Sequence, residues 1–410
     1  MKILIITQYF WPENFKINDL AIELVDRGHK VDVLTGIPNY PLGYAYDGYS
    51  SFKIKDEEYK GVKIFRTSII TRGKNSRLRL FMNYISFIIS GSIKILSLGN
   101  KYNSIFIYEP SPLTVALPAI LKSKLCKIPS LLWVTDLWPE SVTATIKSSK
   151  LIKKIIYFVL NPVVGFIYKR VDKILVTSKA FVPYIEMYGI DKNKIDYFPQ
   201  WAELLFKPIK TKKYLLGKIP RDSFKIMFAG NIGEAQDFPA ILETARLLKD
   251  HKHIQWIILG DGRKTKWVKR KINEYGLDDS FHMLGSYPIE KMPEFYANAD
   301  AMLLSLKDEY IFSITIPAKV QSYLACGKPI LAMINGEAAD VINMDNAGLT
   351  CSAGDSVGLS ENILKMSKMS SFDLNQIGEN SYNCYKKYFD RKMLFEKAEN
   401  ILESLIYSDK

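Results

Sequence analysis

The stretch FKIMFAGNIGEAQDF at residues 224–238 begins with an apolar run that is typical of a buried strand. Gly230 and Gly233 follow this run, and Pro239 marks the start of a predicted helix. Glycine lets the backbone approach a ligand closely, and the free N–H groups at the start of a helix attract an anion. The stretch therefore predicts either a phosphate-binding loop or a turn that caps the helix. The chain contains neither GxxxxGKS/T nor GxGxxG, so a P-loop or an ordinary dinucleotide site is not predicted.

Other apolar runs show the same alternation of a strand with a helix or loop. They lie at 254–260, 280–285, 300–305 and 328–333 in the second half, and at 2–6, 30–34, 62–66, 104–108, 130–134 and 173–177 in the first. Strands that alternate with helices predict a parallel sheet covered on both faces. We expect an α/β protein with two doubly wound, Rossmann-like domains that face each other across a ligand cleft.

The stretch 196–223 separates the two halves, because it carries three prolines and several lysines without sustained periodicity. We predict an N-terminal domain at 1–200 and a C-terminal domain at 201–390. Residues 391–410 contain an amphipathic helix, predicted at 394–408, that we expect to pack back on the N-terminal domain. Near the start of the chain, the pattern at 18–28 predicts a helix with Asn18 as its N-cap and Gly28 at its end.

The composition is that of a globular protein with an anionic partner. The 410 residues are 48% hydrophobic and 24% charged, and the net charge is +13. Such a charge favours a phosphate-bearing ligand, a nucleic acid or an acidic membrane surface. Four cysteines without CxxC spacing and four histidines form no zinc motif, and no Asp-x-Asp pair is present. We therefore expect no metal and no cofactor.

A second glycine loop, LGDGRKTKW at 259–267, ends another predicted strand. Gly260, Asp261 and Gly262 precede Arg263 in this loop. The loop predicts cationic lining around a diphosphate, or alternatively a solvated turn.

A third stretch, SITIPAKVQSYLACGKPI at 313–330, predicts a helix that starts at Pro317 and ends before Gly327. Lys319 lies near the start of this helix, where a positive charge opposes the helix dipole. A bound phosphate would offset that cost, although a solvent-exposed lysine is the alternative.

The stretch VTDLWPESV at 134–142 places Asp136 and Glu140 after an apolar strand, with Trp138 between them. In an open α/β sheet, carboxylates at the carboxyl end of a strand point towards the ligand crevice, and an aromatic plane suits a sugar ring. The alternative is that Asp136 or Ser141 caps the next helix. The aromatic loops QYFWPEN (8–14) and GIPNYPLG (36–43) follow the first two strands, and we expect them to line the same crevice.

These stretches resemble the GT-B glycosyltransferases of family 4, and within them the bacterial N-acetyl-L-fucosamine transferases of O-antigen and capsule synthesis. The resemblance runs in order through QYFWPE, ELVDRGHKVDVLTGIPNYPLG, VTDLWPES, FAGNIGEAQ, ILGDG, ADAMLLSL, IPAKVQSYLACGKPI and NAGLTC. It implies the GT-B fold and a retaining hexosyltransferase. It also implies that the first domain takes the acceptor and that the second holds a UDP-sugar.

The chain departs from the family pattern at three places. Asn231 and Gln236 stand near the positions where many members hold the diphosphate with arginine and lysine. Ile314 and Ser322 replace the frequent pair of glutamates. The Gly-Gly loop that often follows the first strand is replaced by residues 13–15.

The residue patterns and the resemblance together give three sets of candidate site residues. Catalysis is predicted at Asp136 and Glu140, and acceptor binding at Glu13, Asn14, Tyr40 and Trp138. Nucleotide-sugar binding is predicted at Gly230, Asn231, Ile232, Gln236, Gly260, Asp261, Gly262, Arg263, Tyr287, Lys291, Ile316, Pro317, Ala318, Lys319 and Ser322.

The expected activity is transfer of a sugar such as N-acetyl-L-fucosamine from a UDP-sugar to a polyprenyl-diphosphate-linked saccharide in O-antigen, lipopolysaccharide or capsule synthesis. The first apolar run is too short for a signal peptide, which favours the cytoplasm. Basic and bulky apolar residues mix at 72–89 and 147–160, so these segments predict either peripheral binding to the anionic inner face of the cell membrane or core helices with basic ends.

Two other functions fit parts of the sequence. A UDP-sugar 2-epimerase would use the same architecture to clamp UDP. A basic polyanion-binding protein without catalysis would use the charge of +13. The lysines are spread along the chain rather than concentrated near stacking aromatics, so we do not expect nucleic-acid binding.

Overall fold

The computed structural model describes residues 1–74, 76–145, 149–210 and 213–407. Contacts divide the chain into a first unit, Met1–Phe198 with Lys392–Lys410, and a second unit, Pro199–Arg391. Small parts of the predicted membrane segments, linker and terminal helix fall at 75, 147–148, 211–212 and 408–410, which lie outside the described residues.

The first unit is built on a mixed sheet. Its strands are β1 (Lys2–Ile6), β2 (Lys30–Gly36), β3 (Glu57–Tyr59), β4 (Val62–Thr67), β5 (Ser104–Glu109), β6 (Ser130–Val134), β7 (Lys173–Val176) and β8 (Ile195–Tyr197). In the described part of the unit these eight strands are ordered β3-β4-β2-β1-β5-β6-β7-β8. Among these described strands, β3 alone pairs antiparallel with its neighbour. The winding reverses between β1 and β5, which makes this pair the switch point where an open α/β sheet binds ligands.

The six strands predicted for this unit are confirmed, because continuous apolar runs mark strands that are buried on both faces. All residues of β5 and β6 are buried. The short strands β3 and β8 were not predicted. Each has three residues, and most of these are partly or fully exposed, so neither carries an apolar run.

Helices connect and cover the strands of the first unit. They are α1 (Lys16–Asp26), α2 (Arg77–Ser97), α3 (Ala116–Cys126), α4 (Glu140–Thr145), α5 (Lys150–Arg170) and α6 (Val182–Glu186). The prediction that Asn18 caps the first helix is wrong, because α1 begins at Lys16 and the N-cap is Phe15. The Asn18 side chain instead accepts the N–H of Trp11 and donates to the carbonyl of Glu13. Gly28 follows the helix end with φ of 89°, as predicted.

The second unit is built on a parallel sheet. Its strands are β9 (Phe224–Ala229), β10 (Ile254–Leu259), β11 (Phe281–Gly285), β12 (Ala301–Ser305), β13 (Ile330–Met333) and β14 (Gly348–Cys351). Their order in the described residues is β11-β10-β9-β12-β13-β14. This is the strand order of a dinucleotide-binding domain, and its switch point lies between β9 and β12. The first five strands match the predicted runs, whereas β14 is short, partly exposed and was not predicted.

Helices alternate with the strands of the second unit along the chain. They are α7 (Phe238–Leu247), α8 (Thr265–Tyr275), α9 (Met292–Ala297), α10 (Tyr310–Ser313), α11 (Ala318–Ala325), α12 (Glu337–Met344), α13 (Ser356–Ser367) and α14 (Ser371–Tyr388). The predicted ends of α11 are confirmed, since Pro317 is its N-cap and Gly327 follows it with φ of 64°.

The last helix, α15 (Arg391–Tyr407), lies in the first unit. Its buried face consists of Leu394, Phe395, Ala398 and Leu402. On its polar side, Glu399 lies 2.9 Å from Arg27 and 2.6 Å from His29. These contacts join α15 to the end of α1.

Candidate functional site

The carboxyl end of β9 carries the first glycine of the quoted stretch, Gly230. This residue is exposed and has φ of 143°, a backbone conformation that residues other than glycine rarely adopt. A Cβ atom at this position would lie 3.2 Å from Nζ of Lys319. The loop thus lies at the switch point of the second sheet, with its backbone open on one side and a lysine close to it.

The two glycine loops pack directly on each other. The N–H of Gly230 donates to the carbonyl of Leu259 at 2.9 Å, and the N–H of Ile232 donates to the carbonyl of Asp261 at 2.9 Å. A Cβ atom on Gly260 would lie only 1.9 Å from the carbonyl oxygen of Gly230. Glycine at this position is therefore required for the contact between the loops, and the second loop supports the first.

The side chains of the second loop are engaged locally. Gly262 also faces the first loop, because a Cβ atom added at this position would lie 2.4 Å from the carbonyl oxygen of Ile232. The Asp261 carboxylate accepts the N–H of Gly262 at 2.7 Å and the hydroxyl of Thr265 at 2.6 Å, at the start of α8. Lys264 pairs with Glu234 at 2.7 Å. Arg263 is exposed.

Lys319 is the lysine that reaches the open loop. Its Nζ lies 2.6 Å from Oε1 of Gln236 and 4.1 Å from the ring centre of Phe228. Burial lowers the pKa of Lys319 to about 7, since desolvation disfavours the charged form. Gln236 stands where the resemblance places a family cation. The structure thus brings a positive group to that place from α11 rather than from the loop itself.

Backbone amides of the loop are available beside this lysine. Among the residues that the structure describes, the N–H groups of Asn231 and Gly233 have no hydrogen-bond acceptor. Tyr323 fixes the strand below them, because its hydroxyl donates to the carbonyl of Ala229 at 3.2 Å. Sequence reasoning missed Tyr323, whose position one turn after Lys319 on a predicted helix was the available signal. Open amides next to a cation are suited to a diphosphate.

The other residues predicted for the nucleotide-sugar differ in their exposure. Tyr287 follows β11, is 45% exposed and has its ring centre 4.6 Å from that of Phe295. Lys291 is exposed, Ser322 is buried, and Ile232 has no exposed surface. Ile316 and Pro317 are half-buried, and Ala318 is exposed at the first position of α11. Ile314, which replaces a family glutamate, is 5% exposed.

In the first unit, Asp136 lies just beyond β6 and is half-buried. Its backbone N–H donates to Oε2 of Glu109 at 3.3 Å. Burial raises the pKa of the Asp136 carboxyl, while the facing side chains of Ser141, Ser111 and Trp138 lower it. A partly accessible carboxylate with a raised pKa at the end of a strand is a candidate acid or base.

Glu109 is a second carboxyl at this edge of the sheet, and sequence reasoning missed it. It is the last residue of β5 and has no exposed surface. Its Oε1 accepts the N–H of Ser111 at 2.9 Å. Burial first, and the charge of Asp136 second, raise the pKa of Glu109 well above its usual range. The run EPSP directly after a predicted strand was the available signal.

Glu140, the other predicted catalytic residue, also lies beyond the end of β6. Burial raises the pKa of Glu140 in the first turn of α4. The fully buried Tyr168 has a raised pKa, first through burial and then through charges that include Glu109, Glu140 and Asp136. The charges of three carboxyls, Glu109, Asp136 and Glu140, therefore act on one buried tyrosine.

The residues predicted to bind the acceptor differ in their exposure. The Glu13 carboxylate is 1% exposed and accepts the N–H groups of Phe10, Asn39 and Tyr40. Burial raises its pKa to about 7. Glu13 thus anchors the loops after β1 and β2. Tyr40 is 39% exposed, and Asn14 is exposed.

Trp138 and the first switch point add polar groups to this edge. Trp138 is 8% exposed, and its indole N–H donates to the Ser111 hydroxyl at 3.2 Å. Oε1 of Gln8 and the hydroxyl of Tyr9 are buried without a partner among the described residues. Buried polar atoms usually have hydrogen-bond partners, so these two atoms are exceptions at this edge of the sheet.

Comparison with known proteins identifies the chemistry of the second unit. Residues 217–383 match the family Glycosyl transferases group 1. The matched residues make up most of the second unit. The chain is accordingly an enzyme, a glycosyltransferase, and the glycine loops, Lys319 and α11 all lie within the matched residues.

Similar proteins extend over more of the glycosyltransferase. WbjE of Pseudomonas aeruginosa, named as a glycosyltransferase, is 25% identical over 68% of this chain and 69% of its own. WcaI of Escherichia coli, named for glycosyl transfer in colanic acid biosynthesis, is 23% identical over 80% of this chain and 82% of its own. The solved structure of Anabaena HepE with UDP and glucose superposes with a TM-score of 0.68 at 14% identity, covering 98% of this chain and 100% of that one. The two α/β units are those of the GT-B fold.

Proposed function

We propose that this glycosyltransferase moves a sugar from a UDP-sugar to a lipid-linked saccharide in bacterial surface polysaccharide synthesis. The observation that carries the proposal is the group of Gly230, Gln236 and Lys319 at the switch point of a sheet with dinucleotide-binding strand order. Support for the pathway comes from the relative named for colanic acid biosynthesis. Support for UDP comes from the similarly folded HepE, which was solved with UDP and glucose.

In this proposal the second unit holds the donor. The diphosphate lies against the amides of Asn231 and Gly233, beside Lys319, and the base lies near Tyr287. When the bond between the anomeric carbon and the diphosphate oxygen breaks, negative charge grows on the leaving group. Groups already fixed around that oxygen stabilise the charge without reorganising. This arrangement neutralises the diphosphate with a lysine and backbone dipoles, so we propose that no metal is required.

The first unit takes the acceptor. The acceptor hydroxyl oxygen forms the new bond to the anomeric carbon, and its proton passes to a carboxylate, for which Asp136 is our choice. We propose that the hydroxyl approaches the anomeric carbon on the face that the diphosphate leaves, so that configuration is retained, and that the sugar is an N-acetylated 6-deoxyhexosamine such as N-acetyl-L-fucosamine. The support for both is the resemblance of stretches such as VTDLWPES and IPAKVQSYLACG. The group 1 match and the named relatives do not favour an epimerase or a non-catalytic polyanion-binding protein.

We expect the purified protein to transfer N-acetyl-L-fucosamine from its UDP donor to a polyprenyl-diphosphate saccharide in the presence of EDTA. Mass spectrometry of the lipid product and release of UDP measure the reaction. UDP-N-acetylglucosamine without acceptor is the control, and it should stay unchanged. Loss of transfer in EDTA with recovery on adding manganese would contradict the metal-free proposal. Formation of the 2-epimer in the control would contradict the proposed reaction.

Membrane association is a further part of the proposal. By length and composition alone, α2 and α5 are long and apolar enough to cross a membrane. Most of their residues are not buried inside the protein. On α5, Leu151, Ile155 and Phe158 share one face and are 67%, 54% and 82% exposed. Exposed Lys150 and Lys154 lie beside them. We propose that this face binds an anionic lipid surface, which would present the lipid-linked acceptor.

The protein should sediment with vesicles that contain an anionic lipid at low salt, and Phe158→Glu should weaken binding by about tenfold or more. Phe372→Glu is the matched control, because Phe372 is 76% exposed in the second unit. Equal loss in the two variants, or no sedimentation of the unchanged protein, would contradict the proposed surface.

A further inference from the structure

Glu109 links the ends of two neighbouring strands in the first unit. Its Oε1 accepts the N–H of Ser111 at 2.9 Å, and its Oε2 accepts the N–H of Asp136 at 3.3 Å. Its backbone carbonyl also accepts the hydroxyl of Thr135 at 2.6 Å. One buried side chain therefore holds the loop after β5 and the loop after β6 in register.

The loop after β5 is strained where Glu109 holds it. Ser111 has φ of 82°, which is unusual for a residue with a side chain. The Ser111 hydroxyl accepts the indole N–H of Trp138, and it faces the Asp136 carboxylate. A strained residue persists only where its surroundings fix it, and such residues cluster at functional sites.

The charges around Glu109 do not explain it as a structural ion pair. The neighbouring charge that affects it is the negative charge of Asp136, which together with burial raises the pKa of Glu109. The charges of both carboxyls act on Tyr84 and Tyr168, and that of Glu109 acts on Tyr108. Glu140 acts on the same Tyr168. Arg72 acts on Tyr84 within the same network. Burying a carboxyl beside another carboxyl is costly, and so a stabilising role alone does not account for it.

We propose that Glu109 is a positioning residue for Asp136 in the transfer reaction. Glu109 does not touch substrate, because it has no exposed surface. It holds the backbone of Asp136 and the strained Ser111 turn, and thereby sets where the Asp136 carboxylate stands. The inference rests on the proposed function, in which Asp136 accepts the proton of the acceptor hydroxyl.

A double-mutant cycle between Glu109→Gln and Asp136→Asn tests whether Glu109 acts through Asp136. Glutamine keeps an oxygen for the N–H of Ser111 but turns an NH₂ group towards the N–H of Asp136. We expect kcat to fall by about 10- to 100-fold, with KM for the UDP-sugar unchanged, because a misplaced group impairs the reaction rather than binding. In the Asp136→Asn background, Glu109→Gln should reduce kcat by less than about twofold. Glu58→Gln, at an exposed position on β3, is the control.

The outcomes separate the inference from the proposed function. If Glu109→Gln leaves kcat unchanged while Asp136→Asn is slow, only the inference is overturned. An equal loss of kcat in both backgrounds also overturns it, since Glu109 would then act independently of Asp136. Normal turnover of Asp136→Asn overturns the proposed role of Asp136 and the inference with it. Should the glutamine variant fail to fold, Glu109→Asp replaces it, since its shorter side chain cannot reach both N–H groups.

Discussion

Replacing Asp136 with asparagine is expected to lower kcat by about 10²- to 10⁴-fold, the usual loss when a general base is removed. The substitution preserves the shape of a half-buried residue at the end of β6. Asparagine caps a helix as well as aspartate does, so a purely structural Asp136 would leave turnover near normal. Turnover, UDP affinity and melting temperature of the variant should be measured together.

The dependence of the rate on pH is a second test of the role of Asp136. Burial raises the pKa of Asp136, and the base must be ionised to accept a proton. The rate of the unchanged enzyme should therefore fall on the acid side at a higher pH than an ordinary aspartate would give. The asparagine variant should lack this acid limb. If Asp136→Asn keeps near-normal turnover and the same fall in rate at acid pH, Asp136 is not the base, and Glu140 is the next candidate.

The second large effect is expected from Lys319→Met, which should weaken UDP-sugar binding by about 10- to 100-fold. A hydrogen bond to a charged group contributes roughly 1.5–3 kcal/mol, and methionine keeps most of the side-chain length. Lys264→Met is the matched control, because Lys264 lies on the neighbouring loop but pairs with Glu234. Calorimetric titration measures both. Equal losses would mean that general positive charge, rather than the group at Gln236, holds the diphosphate.

Lys319 should also make binding depend on pH. In the free protein its pKa is about 7, so the side chain is mostly neutral at pH 8.5. A bound diphosphate favours the charged form, so binding takes up a proton above pH 7 and the affinity falls as the pH rises from there. Below pH 7 the affinity should level off. A UDP-sugar is the ligand to use, because its doubly esterified diphosphate has no proton to lose in this range. Retention of the pH dependence in Lys319→Met would rule out this lysine as its source.

Most of the fold could be predicted because buried parallel strands leave continuous apolar runs. The run at 224–229 and the runs at 254–260 and 328–333 each became a strand. The missed strands β3, β8 and β14 pair at or near the sheet edges, where residues are partly exposed and no such run is required. The error at Asn18 has a local cause. An asparagine in the first turn of a helix can hydrogen-bond the preceding loop instead of capping, and nothing in the sequence distinguishes the two uses.

The site was predictable only in part, because contacts between loops are not local in sequence. Gly260 suggested close approach of a ligand, whereas its hydrogen atom faces the carbonyl of Gly230. Lys319 suggested a phosphate, but its contact with Gln236 spans 83 positions. The sequence indicated the role of Glu109 only weakly. A glutamate at the end of an apolar strand is typical of a position where the chain leaves the core and becomes exposed. Its burial becomes visible only when β6 lies beside β5.

The position of α15 in the first unit affects the order in which the two units can fold during synthesis. The first unit is assembled from two separate pieces of chain, and the second unit is one continuous piece between them. During synthesis the ribosome must deliver all of Pro199–Arg391 before Leu394 and Phe395 can fill their places against the first unit. Domains tend to fold as they emerge, so the second unit can finish folding while the first unit is still incomplete. Truncation within α15 should therefore impair the unit that was synthesised first and spare the one nearer the cut.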